Sequence, residues 1–118
     1  MDRISSKQSC SIGTTTGGFV AGDNSHIDYS NRAGGEVRID AGQNPSGATT
    51  LTWYTKGHPN DTPTPLFTVD GTTAVTQTVP ANANTNGASL PIPDECHGAA
   101  YLVVIADVAM SASIVTKS

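Results

Sequence analysis

The sequence predicts an all-β fold: a single β-sandwich or jelly-roll-like domain of seven to nine short strands with a flexible N-terminal arm. Apolar and polar residues alternate with a period of two in several segments of the 118-residue chain. Clusters of Gly, Pro, Asn and Asp separate these segments at short intervals, and no segment has the 3.6-residue period of an amphipathic helix. The length suits one compact domain with one modest core.

Residues 1–25 are expected to form an extended, flexible arm. This segment is rich in Ser, Thr and Gly, and it includes the tract GTTTGG at Gly13–Gly18. Its only periodic part is a short candidate strand at Ser9–Ile12. A segment of this composition is expected to be disordered in isolation and could become ordered on a partner. The sandwich domain is therefore placed at residues 26–118.

Two alternating segments begin the sandwich. HIDYS places Ile27 and Tyr29 on one face, and GEVRIDAG does the same with Val37 and Ile39. The loop NRAGG between them predicts a hairpin connection. The stretch QNPSG at residues 43–47 is dense in turn-forming residues and predicts a turn before the next strand.

The only tryptophan lies in the following strand, TTLTWYTK. Leu51 and Trp53 fall on one face of this strand, and Thr52 and Tyr54 fall on the other. A large ring on the inward face of a central strand fills the space between two sheets, so Trp53 is interpreted as a core residue. The alternative is a surface platform on which a sugar stacks. The proline-rich loop GHPNDTPTP then ends the strand.

Turn signals divide the second half of the chain into further strands. The Asp70-Gly71 pair after PLFTV predicts a hairpin, and TAVTQTV then places Val75 and Val79 on one face. PANANTNGAS is predicted to be a long polar loop. LPIP contains two prolines and is assigned to a sheet edge or a crossover. A short 3₁₀ or helical turn is predicted at Pro93–His97, and SASIVTK is expected to form the last strand.

The strand AYLVVIA at Ala100–Ala106 is apolar on both faces. A sandwich strand usually has one face in water, so both faces of this one are expected to be covered. Two interpretations remain open: the chain covers the second face itself, or the second face is the interface of a homo-oligomer. The residues of the two faces are Tyr101, Val103 and Ile105 on one side and Leu102, Val104 and Ala106 on the other.

The two cysteines, Cys10 and Cys96, are expected to be reduced, buried, small apolar residues. The alternative is a Cys10–Cys96 disulfide, which would form if the product leaves the cell by lysis.

Composition argues against nucleic acid and membrane partners. The net charge is −4, and six basic residues are scattered from Arg3 to Lys117, whereas phosphate binding needs clustered cations. The longest apolar run, AAYLVVIADVAM, is interrupted by Asp107 and is too short to span a bilayer. The N-terminal segment lacks the apolar centre of a secretory signal, which predicts synthesis in a cytoplasm. Thr, Ser, Asn and Gly account for 46 of the 118 residues and predict a neutral, hydroxylated surface.

Three groups of side chains include metal-ligand types. They are Asp94, Glu95, Cys96 and His97 in PDECHG, His58 with Asp61, and His26 with Asp28. Adjacent residues rarely reach one ion, so PDECHG is interpreted as a turn. The spaced acids of a calcium loop are absent, so both pairs are interpreted as solvated surface pairs. We therefore expect no metal site and no cofactor.

No motif of a catalytic site is present in the sequence. It has no Gly-x-Ser-x-Gly elbow and no glycine-rich phosphate loop. A sandwich of this length has little room for a cleft with paired carboxylates. The protein is therefore expected not to be an enzyme.

The succession TLTWYTK, PLFTVDGTTAVTQTVPA, ASLPIPDECHGAAYLVVIAD and SASIVTKS resembles the small β-sandwich proteins that tailed bacteriophages encode among their head genes. The resemblance covers Thr49–Ser118 and rests on short apolar motifs. The turn with Cys96 and His97 and the length of GHPNDTPTP differ from that pattern.

This resemblance implies a virion structural protein, a capsid decoration or cement protein that binds the outer face of the head. The implied partner is the major capsid protein, and the implied state is a homo-oligomer, with a trimer favoured over a dimer. Synthesis in the host cytoplasm and location on the capsid exterior follow from the same resemblance, which transfers no catalytic residue. The alternatives are a carbohydrate- or host-binding sandwich module, for which Tyr54 is a candidate contact, and a tail or fibre component.

Overall fold

The computed structural model describes residues 5–40 and 49–117, and within these ranges the chain forms two antiparallel β-sheets. The turn predicted at QNPSG lies outside the described residues. The strands are β1 (Ser5–Ile12), β2 (Val20–Ala21), β3 (Ile27–Asp28), β4 (Gly35–Ile39), β5 (Thr49–Lys56), β6 (Thr64–Pro65), β7 (Thr76–Val79), β8 (Ala88–Pro91), β9 (Tyr101–Ala106) and β10 (Met110–Lys117). One short helix, α1 (Ala83–Asn86), and two 3₁₀ turns (Thr16–Gly18 and Asp94–Cys96) complete the elements.

Each sheet has five strands. The first has the order β2-β1-β10-β4-β8. The second has the order β3-β9-β5-β6, and β7 also pairs with β5. All pairs are antiparallel. The inner faces of both sheets contribute to one core cluster, which confirms the predicted all-β sandwich.

The alternation in the sequence correctly predicted which side chains face the core. Leu51 and Trp53 are completely buried, whereas Thr52 and Tyr54 are half-buried on the other face of β5. Trp53 lies opposite Val104 of β9, and its Nε1–H donates to Oε1 of Gln77 at 2.9 Å. The sugar-platform alternative for Trp53 is therefore wrong, because no part of the side chain is accessible.

The N-terminal segment is part of the sandwich and not an arm outside a 26–118 domain. β1 pairs along its whole length with β10 and lies second in its sheet. Ile12 and Phe19 are fully buried in the core. The arm prediction is therefore wrong for the described residues of 1–25, because long-range pairing orders a segment that is weakly apolar in sequence.

Other expectations need smaller corrections. The described part of the chain has ten strands where seven to nine were predicted, and the two-residue strand β2 lies in a segment for which no strand was predicted. The polar loop PANANTNGAS contains α1, and Ala83 at the start of this helix is buried. The edge position of LPIP is confirmed, since β8 ends its sheet, and the 3₁₀ turn is confirmed at Asp94–Cys96.

The strand with two apolar faces is covered largely by the chain itself. Val104 faces the other sheet with Trp53, so the alternation of the strand directs Val103 outward. Val103 is nevertheless completely buried, and its cross-strand neighbour Tyr54 packs against the core cluster. Tyr101 and Ile105, on the same outward face, are half-buried.

Candidate binding surface

The predicted turn PDECHG holds no set of converging ligands. Cys96 is completely buried, while Asp94, Glu95 and His97 are exposed. Burial raises the pKa of Cys96 to about 12 and that of Cys10 to about 11. Both thiols are free and buried, as expected for reduced structural cysteines. Across residues 5–40 and 49–117, no group of three or more His, Cys, Asp or Glu could hold a metal ion.

The pair His58 and Asp61 stabilises its own loop. The Asp61 carboxylate accepts the backbone N–H of His58 at 3.1 Å, and the Asp61 N–H donates to the His58 carbonyl at 3.1 Å. Next to this loop, the buried Lys56 ammonium donates to the Pro59 carbonyl at 3.1 Å and to Ser25 Oγ at 3.2 Å. These bonds tie the proline loop to the segment before β3.

His26 and Asp28 make separate contacts. The His26 ring packs edge-on against Tyr101 with ring centroids 4.6 Å apart, and its Nδ1 is buried without a hydrogen-bond partner. Burial lowers the pKa of His26, the Lys56 ammonium lowers it further, and Asp28 acts in the opposite direction. The Asp28 carboxylate accepts the N–H of Ser30 at 3.0 Å. The structure thus gives this pair a packing role.

Few aromatic side chains are available for stacking on a sugar. Phe19, Tyr29 and Trp53 are buried, and Tyr54 and Tyr101 are half-buried. Phe67 alone among the described aromatics is exposed, at 45%. A sugar-binding platform usually needs an accessible aromatic face beside polar groups, so this distribution disfavours that alternative.

One flank of the sandwich is almost free of charge, and sequence reasoning missed it. The 32 residues from Thr62 to Pro93 contain a single charged side chain, Asp70. β6 and β7 both pair with the edge of β5 that β9 leaves free, so they end one sheet, and β8 ends the other. Gln77 of β7 also donates a side-chain hydrogen bond to the Pro91 carbonyl of β8. We call the surface formed by residues 62–93 the neutral flank.

Charged residues border this flank on several sides. Asp61 precedes it, Asp94 follows it, and Glu36 and Arg38 form an ion pair on the neighbouring strand β4. Ser89 of the flank donates to the Glu36 carboxylate at 2.9 Å. An uncharged centre with a polar rim is the usual composition of a protein–protein interface. The presence of a single charge, on Asp70, in 32 consecutive residues was the sequence signal for this surface.

A hairpin protrudes from the neutral flank between β6 and β7. Phe67 and Ala74 form an isolated bridge, and the Thr68 N–H donates to the Thr73 carbonyl at 2.8 Å. This confirms the hairpin predicted from Asp70-Gly71. Val69 at its end is fully exposed, and Phe67 is exposed at 45%. The other large apolar side chains with substantial exposure in the described residues are Val20 and Val108, which lie outside the flank.

None of the helices in the described ranges is long and apolar enough to cross a membrane. Comparison of the chain with models of protein families, with curated proteins and with solved structures finds no significant match.

Proposed function

We propose that this protein is a virion structural protein of the capsid decoration or cement type, which binds the outer face of a phage head and stabilises the shell. The observation that carries the proposal is the neutral flank, which combines one edge of each sheet in a surface whose only charged side chain is Asp70. Interfaces between proteins are depleted of charge at their centres. Another protein surface is the partner that this composition fits best, and the resemblance over Thr49–Ser118 leads us to propose the major capsid protein.

Two of the three edge strands on this flank, β6 and β8, are poorly suited to adding further strands. β6 has only two residues and includes Pro65, and β8 ends at Pro91. Prolines and short strands at sheet edges prevent pairing with other chains. Contact through side chains then remains as the mode of binding. Such contacts are repeated at many equivalent positions of the shell. Because the protein binds only the form of the lattice that has the binding site, it stabilises that form by mass action.

A homo-oligomer, with a trimer favoured over a dimer, belongs to the same proposal. Val103 is already buried within the single chain, so its apolar side chain does not need an oligomer interface to cover it. Light scattering of the purified protein measures this state directly, against a chain mass of 12.1 kDa.

The proposal is tested by co-sedimentation. The purified protein is mixed with empty shells assembled from the major capsid protein of the same genome, in the unexpanded and the expanded form. We expect saturable binding to the expanded shells and a higher temperature for their disruption. Because the flank carries only one charged side chain, the affinity should change little from about 0.1 to about 1 M NaCl, a range that shortens the Debye length from about 10 to about 3 Å.

Two results would contradict the proposal. One is the absence of binding to either form of the shell at micromolar protein. The other is a combination of two findings: the genome has no capsid gene, and the protein binds glycans. If Tyr54→Ala then abolishes glycan binding while the fold is retained, the protein is a carbohydrate-binding module instead.

A further inference from the structure

We infer that the hairpin from Leu66 to Val75 is the anchoring element of the neutral flank, and that it inserts Val69 and Phe67 into an apolar socket on the capsid protein. This inference rests on the proposed function and names the part of the flank that makes the decisive contact.

The hairpin is held in one conformation by the Asp70 carboxylate. Its Oδ1 accepts hydrogen bonds from Thr68 Oγ1 at 3.0 Å and from the backbone N–H groups of Thr72 and Thr73, both at 2.8 Å. Its Oδ2 accepts the Thr73 hydroxyl at 2.5 Å. These bonds hold the pKa of Asp70 well below its usual range. The bond from the Thr73 hydroxyl has the largest effect, followed by that from the Thr72 N–H. The loop is therefore fixed by a carboxylate that stays ionised.

The backbone of the loop matches this arrangement. Gly71 has a φ of +75°, in the left-handed region that a residue with a side chain rarely adopts. Its N–H donates to the Thr68 carbonyl at 2.9 Å, and the Val75 N–H donates to the Leu66 carbonyl at 2.9 Å. A loop that is ordered before binding loses little conformational entropy on contact.

The ordered loop exposes two large apolar side chains beside its exposed polar residues Asp70, Thr72 and Thr73. Val69 is fully exposed, and Phe67 is partly exposed behind it along the chain. The only charge in the loop, on Asp70, is directed to hydrogen bonds within the loop. Anchors of protein interfaces are side chains that fill desolvated pockets on the partner. The chemistry that fits this hairpin is thus an apolar socket with an uncharged rim.

The test compares single substitutions in the shell-binding experiment. Val69→Asp and Phe67→Ser place polar groups on the hairpin. Val108→Asp is the matched control, because Val108 is exposed at 46% but lies in the turn between β9 and β10. Thr78→Asp adds the same charge to an exposed position of β7 on the flank. Circular dichroism and the urea midpoint establish that each variant is folded.

We expect Val69→Asp and Phe67→Ser to weaken binding to expanded shells by about tenfold or more, and Val108→Asp to change it by less than about twofold. If folded Val69→Asp and Phe67→Ser bind like the wild type while Thr78→Asp does not, the anchor lies elsewhere on the flank and this inference is wrong, although the proposed function stands. If the wild type itself does not bind, the proposed function fails first.

Discussion

Trp53 joins the two sheets through its ring and its indole N–H. The ring is completely buried, and Nε1 donates to Gln77, whose amide in turn donates to the Pro91 carbonyl of the other sheet. The sequence was sufficient to predict the core position of Trp53, because it lies on the apolar side of an alternating strand. It could not indicate Gln77 as the partner, since that contact depends on the pairing of β5 with β7.

We expect Trp53→Ala to lower the free energy of unfolding by about 3–5 kcal/mol, because it leaves a large cavity and removes a partner of Gln77. Tyr54→Ala, one position along the strand on the half-buried face, should have a smaller effect. Urea unfolding of both variants followed by circular dichroism measures the difference. Equal losses of stability would contradict the interior position of Trp53.

We expect His26 to make the stability of the fold depend on pH. Its Nδ1 is buried without a hydrogen-bond partner, and its ring packs against Tyr101. Two charged groups act on the ring: the Lys56 ammonium lowers the pKa of His26, and the Asp28 carboxylate raises it. Because the folded-state pKa lies below the unfolded value, the unfolded chain binds more protons in the interval between the two. Stability is therefore complete above the unfolded pKa of about 6.5 and decreases as the pH falls through the folded pKa.

We expect the urea concentration at the midpoint of unfolding to decrease as the pH is lowered from about 7.5 to about 5. The substitution His26→Gln should make this decrease smaller. His58→Gln and His97→Gln are the controls, because both side chains are exposed. An unchanged pH profile in His26→Gln, with the fall retained, would assign the effect to another group.

At the level of elements, β1 is the part of the fold that its own sequence predicts least. Of its described side chains, only Cys10 and Ile12 are buried apolar groups, while Lys7, Ser9 and Ser11 are exposed. A strand with so few apolar residues gives a weak periodic signal. It forms because β10 pairs with it over eight residues, from Ser5↔Lys117 to Ile12↔Met110. Conversely, β5 could be predicted because its own alternation is complete.

Amide exchange distinguishes a strand from an arm. The Gly22 N–H donates to the Ser9 carbonyl, so odd-numbered residues of β1 face β2 or the open edge, and even-numbered ones face β10. We expect the amides of Gln8, Cys10 and Ile12 to exchange slowly in the free protein and that of Lys7 to exchange fast. Rapid exchange at all four positions would restore the interpretation as a flexible arm.

The whole molecule combines parts of the chain whose proximity the sequence does not reveal. The fold class follows from periodicity and turns, which are local signals. The neutral flank depends on strand order: β6 and β7 must end one sheet and β8 the other before their uncharged residues form one surface. Strand order is set by pairings between distant segments, such as β1 with β10, and no local pattern specifies it.

The same pairing brings the first and the last described residues together, which predicts that a circular permutant folds. Ser5 and Lys117 are directly opposite each other in neighbouring strands. A short linker between the original ends, with new ends between the exposed Asn60 and Asp61, keeps every strand pair intact. We expect both this permutant and the wild type to unfold cooperatively, and the two circular dichroism spectra to agree. Deletion of residues 1–12 instead removes β1 from between β2 and β10, and we expect that chain to lose cooperative unfolding. A truncated chain as stable as the wild type would show that the sandwich does not depend on β1.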